Sequence, residues 1–126
     1  MNVLLDTHVL LWALTDESKL SERVRQLLPN ANSWFSVASL WEILIKAQIG
    51  KMPLPRPTGP FVISKLVSNG VQILPVTSDH VLRIESLPGH HRDPFDRMLI
   101  AQSLEENLPL VTADRIFLRY PVEVMW

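Results

Sequence analysis

Apolar residues in this chain fall into short unbroken runs, separated by stretches whose apolar positions repeat at helical spacing. Residues 2–5 form one such run, ended by Asp6, and read as a buried strand. Residues 34–37, 71–74, 110–112 and about 122–125 read as further strands. Between them the periodicity predicts helices. A short one over residues 9–14 carries Trp12 and is broken by Asp16-Glu-Ser18. The next covers residues 21–28, with Leu20, Val24, Leu27 and Leu28 inward and Pro29-Asn30 closing it. Residues 38–49 stop at Gly50 and residues 61–69 at Gly70. Thr77 or Ser78 caps a short helix reaching about Ser86. Residues 51–60 contain Pro53, Pro55, Pro57, Gly59 and Pro60 and read as an irregular surface loop. Strands alternating with helices predict an α/β sandwich, with a mostly parallel central sheet of about five short strands flanked by helices.

The helix starting at Asp93 holds the first anomaly. Aspartate followed by proline is a helix start: the carboxylate caps free backbone N–H groups, and proline arrives with φ already set. Asp96 then shares a face with Leu99, Ile100 and Ser103, while Arg97, Gln102 and Glu105 point the other way. A carboxylate on the inward stripe needs a donor, a cation or a metal; otherwise it sits at the core edge and supports its own cap. Asp6 and Asp114 each stand just beyond a predicted strand. In parallel sheets, sites form beyond the carboxyl ends of the strands, so both emerge at one edge within reach of Asp96.

Composition narrows the chemistry. The 126 residues suit one domain with a real core, and 47% apolar with 20% charged residues excludes a disordered chain. Without cysteine there are no disulfides and no thiolate metal sites. No apolar run reaches the ~20 residues of a membrane span, and no signal-like stretch opens the chain, so a cytoplasmic location is expected. A net charge of −1 gives no global basic field, so a polyanion must be met by a local patch or by metal ions.

Three aspartates at one edge repel one another unless a hard divalent cation takes the charge, and Mg²⁺ or Mn²⁺ prefers such oxygen ligands. Glu42 is a fourth candidate, but it lies four residues before Lys46, and spacing alone is met equally well by a surface ion pair. Asp93 reads more simply as a cap than as a ligand. Thr7 and Thr112 adjoin the acids and can orient them. His8, His90 and His91 fit solvated loop positions better than ligands. There is no G-x-S-x-G, no Gly-rich phosphate loop and no H-E-x-x-H. An aspartate-based phosphatase wants a second aspartate two residues after Asp6, where His8 stands. A non-catalytic module whose acidic edge receives a basic peptide stays open on these grounds.

The segments L-L-D-T-H-V-L-L-W, S-L-W-E-I, H-R-D-P-F-D-R-M-L-I-A-Q and L-V-T-A-D resemble, in order and over nearly the whole chain, the PIN-domain ribonucleases. More narrowly they look like the VapC-type toxins of toxin–antitoxin pairs. The resemblance implies a single PIN-like domain over residues 1–126 and metal-dependent hydrolysis of single-stranded RNA. It implies that Asp6, Glu42, Asp96 and Asp114 hold Mg²⁺ or Mn²⁺, with Glu42 a ligand or the group that orients the water. It also implies a small antitoxin that covers the acidic groove with an Arg or Lys, and a homodimer. Trp12 and Trp41 are candidate anchors for the antitoxin, although both fit core packing better. Arg92, Arg97 and Arg115 adjoin the acids and are candidate phosphate guides.

Overall fold

The computed structural model describes residues 1–90 and 93–126. Strand β1 (Asn2–Leu5) lies at the centre of a five-stranded sheet. Its neighbours are β2 (Asn32–Ser36) on one side and β4 (Leu110–Val111) on the other, with β3 (Gln72–Leu74) and β5 (Val124–Met125) at the edges. Every pairing is parallel. The sheet is thus wholly parallel, and both of its faces are covered.

Strand β1 shows how two cores arise from one run of apolar residues. Side chains alternate across a strand, so Val3 and Leu5 enter one cluster and Leu4 the other. The first cluster takes Val9 and Leu10 of α1 (Thr7–Thr15), Val24 of α2 (Glu22–Leu27), Ile43 of α3 (Val37–Gln48), and Val62 and Leu66 of α4 (Thr58–Ser68). The second takes Leu99 and Ile100 of α6 (Pro94–Glu106), with Leu110, Phe117 and Tyr120. Helix α5 (Ser78–Ile84) packs on α6.

Several boundaries differ from the sequence expectation. Helix α1 begins at Thr7 because Asp6 occupies its N-cap position. Helix α4 begins at Thr58 and so takes in Pro60, which first-turn geometry tolerates since those N–H groups have no intrahelical partner. Gln102, expected opposite the inward stripe of α6, is fully buried. Its amide donates to the Pro75 carbonyl at 3.2 Å, because the α5 side of α6 is covered as well. A turn of 3₁₀ helix over Arg115–Arg119, not anticipated, follows Asp114.

The chain runs β1, β2, β3 toward one edge, then β4, β5 toward the other. The direction switches between β1 and β4. That is where an open parallel sheet leaves a crevice beyond its carboxyl ends.

Candidate active site

Asp6 leaves β1 at this switch point, with its backbone N–H on the carbonyl of Val111 in β4 at 3.0 Å. Its side chain makes no cap to its own helix. Instead Oδ2 accepts a 2.8 Å hydrogen bond from the Thr112 hydroxyl. The same hydroxyl oxygen accepts from the backbone N–H of Asp114 at 3.1 Å. Thr112 therefore ties the end of β1 to the loop after β4, and places Asp6 beside Asp114. Asp114 is exposed, and its Oδ1 caps the following 3₁₀ turn through the N–H of Ile116 at 3.0 Å.

Glu42 comes from α3 and is only 4% exposed. Thr7, across from it on α1, donates to Oε1 at 2.8 Å, and Lys46 donates to Oε2 at 2.9 Å. The ion pair that competed with the site reading thus exists, and the buried carboxylate faces the site as well. Asp93 is the cap of α6: its Oδ1 accepts from the N–H groups of Phe95 at 2.8 Å and Asp96 at 3.1 Å. Asp96 is half-buried in the first turn of the same helix.

One pocket is lined by Asp6, His8, Trp12, Glu42, Lys46, Asp93, Asp96, Ala113 and Asp114. All four acids named from the resemblance open into it, from four separate stretches of chain. Their proximity is felt electrostatically. Burial, reinforced by the charges of Asp93, Asp6, Glu42 and Asp114, pushes the Asp96 carboxyl up from 3.8 to about 7. Burial also raises Asp6, opposed by the Thr112 hydrogen bond and the nearby His8. The Lys46 ammonium is raised, chiefly by its hydrogen bond to Glu42, with Asp93 and Asp96 adding to the effect.

Other candidates fall elsewhere. The Arg97 guanidinium donates to the carbonyls of Pro88 at 2.9 Å and Ile84 at 3.1 Å, so it fastens the preceding loop, and it does not line the pocket. Arg115 is exposed and does not line the pocket. His90 packs edge-on against Tyr120, with ring centres 5.2 Å apart. His91 and Arg92 lie outside the described residues. Trp41 is no core residue: it is 62% exposed and packs edge-on against Phe95. Lys46 belongs to the pocket, and sequence reasoning placed it only as a competitor; its signal was the four-residue step from Glu42.

A model of the PIN domain family matches residues 3–123. The chain belongs to the PIN domain family. Among curated proteins, none matches the sequence at a significant level. Solved structures share the PIN fold at low identity. One is VapBC2 from Rickettsia felis bound to a promoter DNA fragment, with TM-score 0.75, 16% identity, and coverage of 99% of this chain and 98% of that one. A second is DNA-bound VapBC from Salmonella typhimurium, with TM-score 0.75, 18% identity, and coverage of 99% and 97%. FitAcB from Neisseria gonorrhoeae gives TM-score 0.66 at 18% identity, covering 100% and 97%.

Among the described residues, no three Asp, Glu or His side chains gather tightly enough to hold a metal ion as they stand. The donor chemistry of this PIN domain nevertheless fits a hard divalent cation. The pocket's acids offer carboxylate oxygens, with the His8 side chain beside them, and the cost of burying those acids so close together is what such a cation relieves.

Proposed function

We propose that this PIN domain is a Mg²⁺- or Mn²⁺-dependent endoribonuclease and the toxin of a toxin–antitoxin pair. The observation that carries the reading is the meeting of Asp6, Glu42, Asp96 and Asp114 in one crevice at the sheet's switch point. No purely structural role calls for four acids there, and burial, reinforced by their charges, raises Asp96 to about 7. Membership of the PIN family supports a nuclease, and the toxin–antitoxin structures of like fold support the pairing.

Asp6, Asp96 and Asp114 are the residues that would hold the metal, with Glu42 as a further ligand or the group orienting the attacking water. A bound Mg²⁺ or Mn²⁺ supplies a water of lowered pKa and neutralises charge growing on the scissile phosphate. The protein's part is to hold its carboxylates close together and aimed. Thr112 fixes the rotamer of Asp6, and Thr7 fixes that of Glu42. Asp93 stabilises the first turn that carries Asp96. The antitoxin in this reading presents an Arg or Lys to the cluster, where Lys46 shows how an ammonium sits against Glu42. The apolar face around Trp41, Phe95 and Val81, next to the site, is assigned in this reading to a second copy of the chain and not to the antitoxin for which Trp41 was a candidate anchor.

The test is incubation of the purified protein with single-stranded RNA in Mg²⁺, in Mn²⁺ and with a chelator. Cleavage with metal that stops with chelator is the expected result. Stable folded protein that binds a basic peptide and never cuts RNA would favour the binding-module alternative.

A further inference from the structure

Lys46 is paired by position with Glu42, four residues earlier on α3, and an exposed pair of that kind is usually worth little. Its surroundings are not those of a surface pair. Glu42 is buried, its other oxygen is already taken by Thr7, and the Lys46 stem lines the pocket together with Asp6, Asp93, Asp96 and Asp114. Among the described residues, Lys46 is the only Lys or Arg lining it. An ammonium set among acids offsets their repulsion and opposes the entry of any further cation.

We propose that Lys46 is the resident counter-cation of the acidic site, a positioning residue that keeps the metal-free crevice folded and sets how tightly a divalent ion loads. This rests on the metal-site reading above. Its charge has two linked effects. In metal-free protein it balances Glu42, 2.9 Å away, and, across the same pocket, Asp93 and Asp96. In metal-loaded protein it becomes a like charge beside the ion, so its stabilising effect shrinks. By linkage, the stability lost between the two conditions must reappear as a change in metal affinity.

The experiment compares wild type, Lys46→Met, Lys46→Gln and Lys46→Arg by melting curves with chelator and with saturating Mn²⁺, and by calorimetric titration with Mn²⁺ alone. Lys46→Met and Lys46→Gln are expected to melt several degrees lower with chelator and to lose less with Mn²⁺. They should bind Mn²⁺ roughly three- to ten-fold more tightly, the size expected for removing one like charge from a partly screened site. Lys46→Arg should keep both wild-type values. A neutral variant that folds only with Mn²⁺ supports the proposal in stronger form. Equal losses in both conditions with unchanged affinity would reduce Lys46 to an ordinary helix pair and overturn it. Weaker Mn²⁺ binding by the neutral variants would also overturn it. Folded wild type that binds no Mn²⁺ would instead remove the metal reading beneath it.

Discussion

Thr112 and Asp6 stand 106 residues apart in sequence, and the threonine hydroxyl donates to Asp6 Oδ2 at 2.8 Å. This contact joins the two strands that flank the switch point and holds a carboxylate that burial alone would push toward the neutral form. Thr112→Val keeps the shape and removes the donor, leaving Asp6 buried with one partner fewer. We predict a loss of about 1–3 kcal/mol of stability at neutral pH, read from the urea midpoint. An unchanged midpoint would mean the bond contributes nothing.

Asp96 makes the metal-free protein sensitive to pH in an unusual direction. Its folded value of about 7 lies above its ordinary 3.8, so between those values the folded chain holds a proton that the unfolded chain has released. Stability from this group therefore falls as pH rises through that window, and the penalty is complete above it. Asp6, raised by burial, adds in the same sense. With chelator present, wild type should lose more melting temperature between pH 5 and 8 than Asp96→Asn does. Parallel curves for the two proteins would contradict this.

His80 fixes α5 to α6 away from the site. Its Nδ1 accepts from the Thr77 N–H at 3.0 Å, so the ring proton resides on Nε2, 2.8 Å from Glu106 Oε1. The side chain is fully buried. His80→Ala leaves a cavity and an unpaired N–H, and about 2–4 kcal/mol of stability should go with them. Cleavage per folded molecule should stay as it was, because none of these groups lines the acidic pocket.

Trp41 tests the expected homodimer. The residue is 62% exposed, so Trp41→Ser removes little that the isolated fold needs. Light scattering should show a dimer for wild type and a shift toward monomer for the variant, with monomer stability nearly unchanged. A monomeric wild type would remove the expectation.

The convergence of three aspartates at one sheet edge was legible in the sequence, and the strand order that sets the edge was not. Asp6 and Asp114 could be placed because each ends a short apolar run, and strand ends in parallel sheets converge. Glu42 was ambiguous on spacing, since a four-residue step to Lys46 describes a surface pair and a buried residue alike; the resemblance named it, and its burial against Thr7 follows from the position of α1 over α3. Gln102 was misplaced because a helical wheel assumes one covered face, whereas α6 meets both the sheet and α5. Trp41 was expected inside because apolar residues usually are, and nothing local to α3 shows that its outer flank is left uncovered.

Asp96→Asn is the variant on which the account turns, since asparagine keeps the shape and can still support the first turn of α6. As a mere first-turn residue, Asp96 would yield only a helix-end term of about 0.3–1 kcal/mol and normal activity. As a metal-site residue, its neutralisation should raise the melting temperature with chelator, shrink the gain on adding Mn²⁺, and lower RNA cleavage by orders of magnitude. The measurement is RNA cleavage by wild type and Asp96→Asn in Mn²⁺, beside melting curves of both proteins with chelator and with Mn²⁺. Near-normal cleavage and an undiminished Mn²⁺ gain in Asp96→Asn would contradict the account.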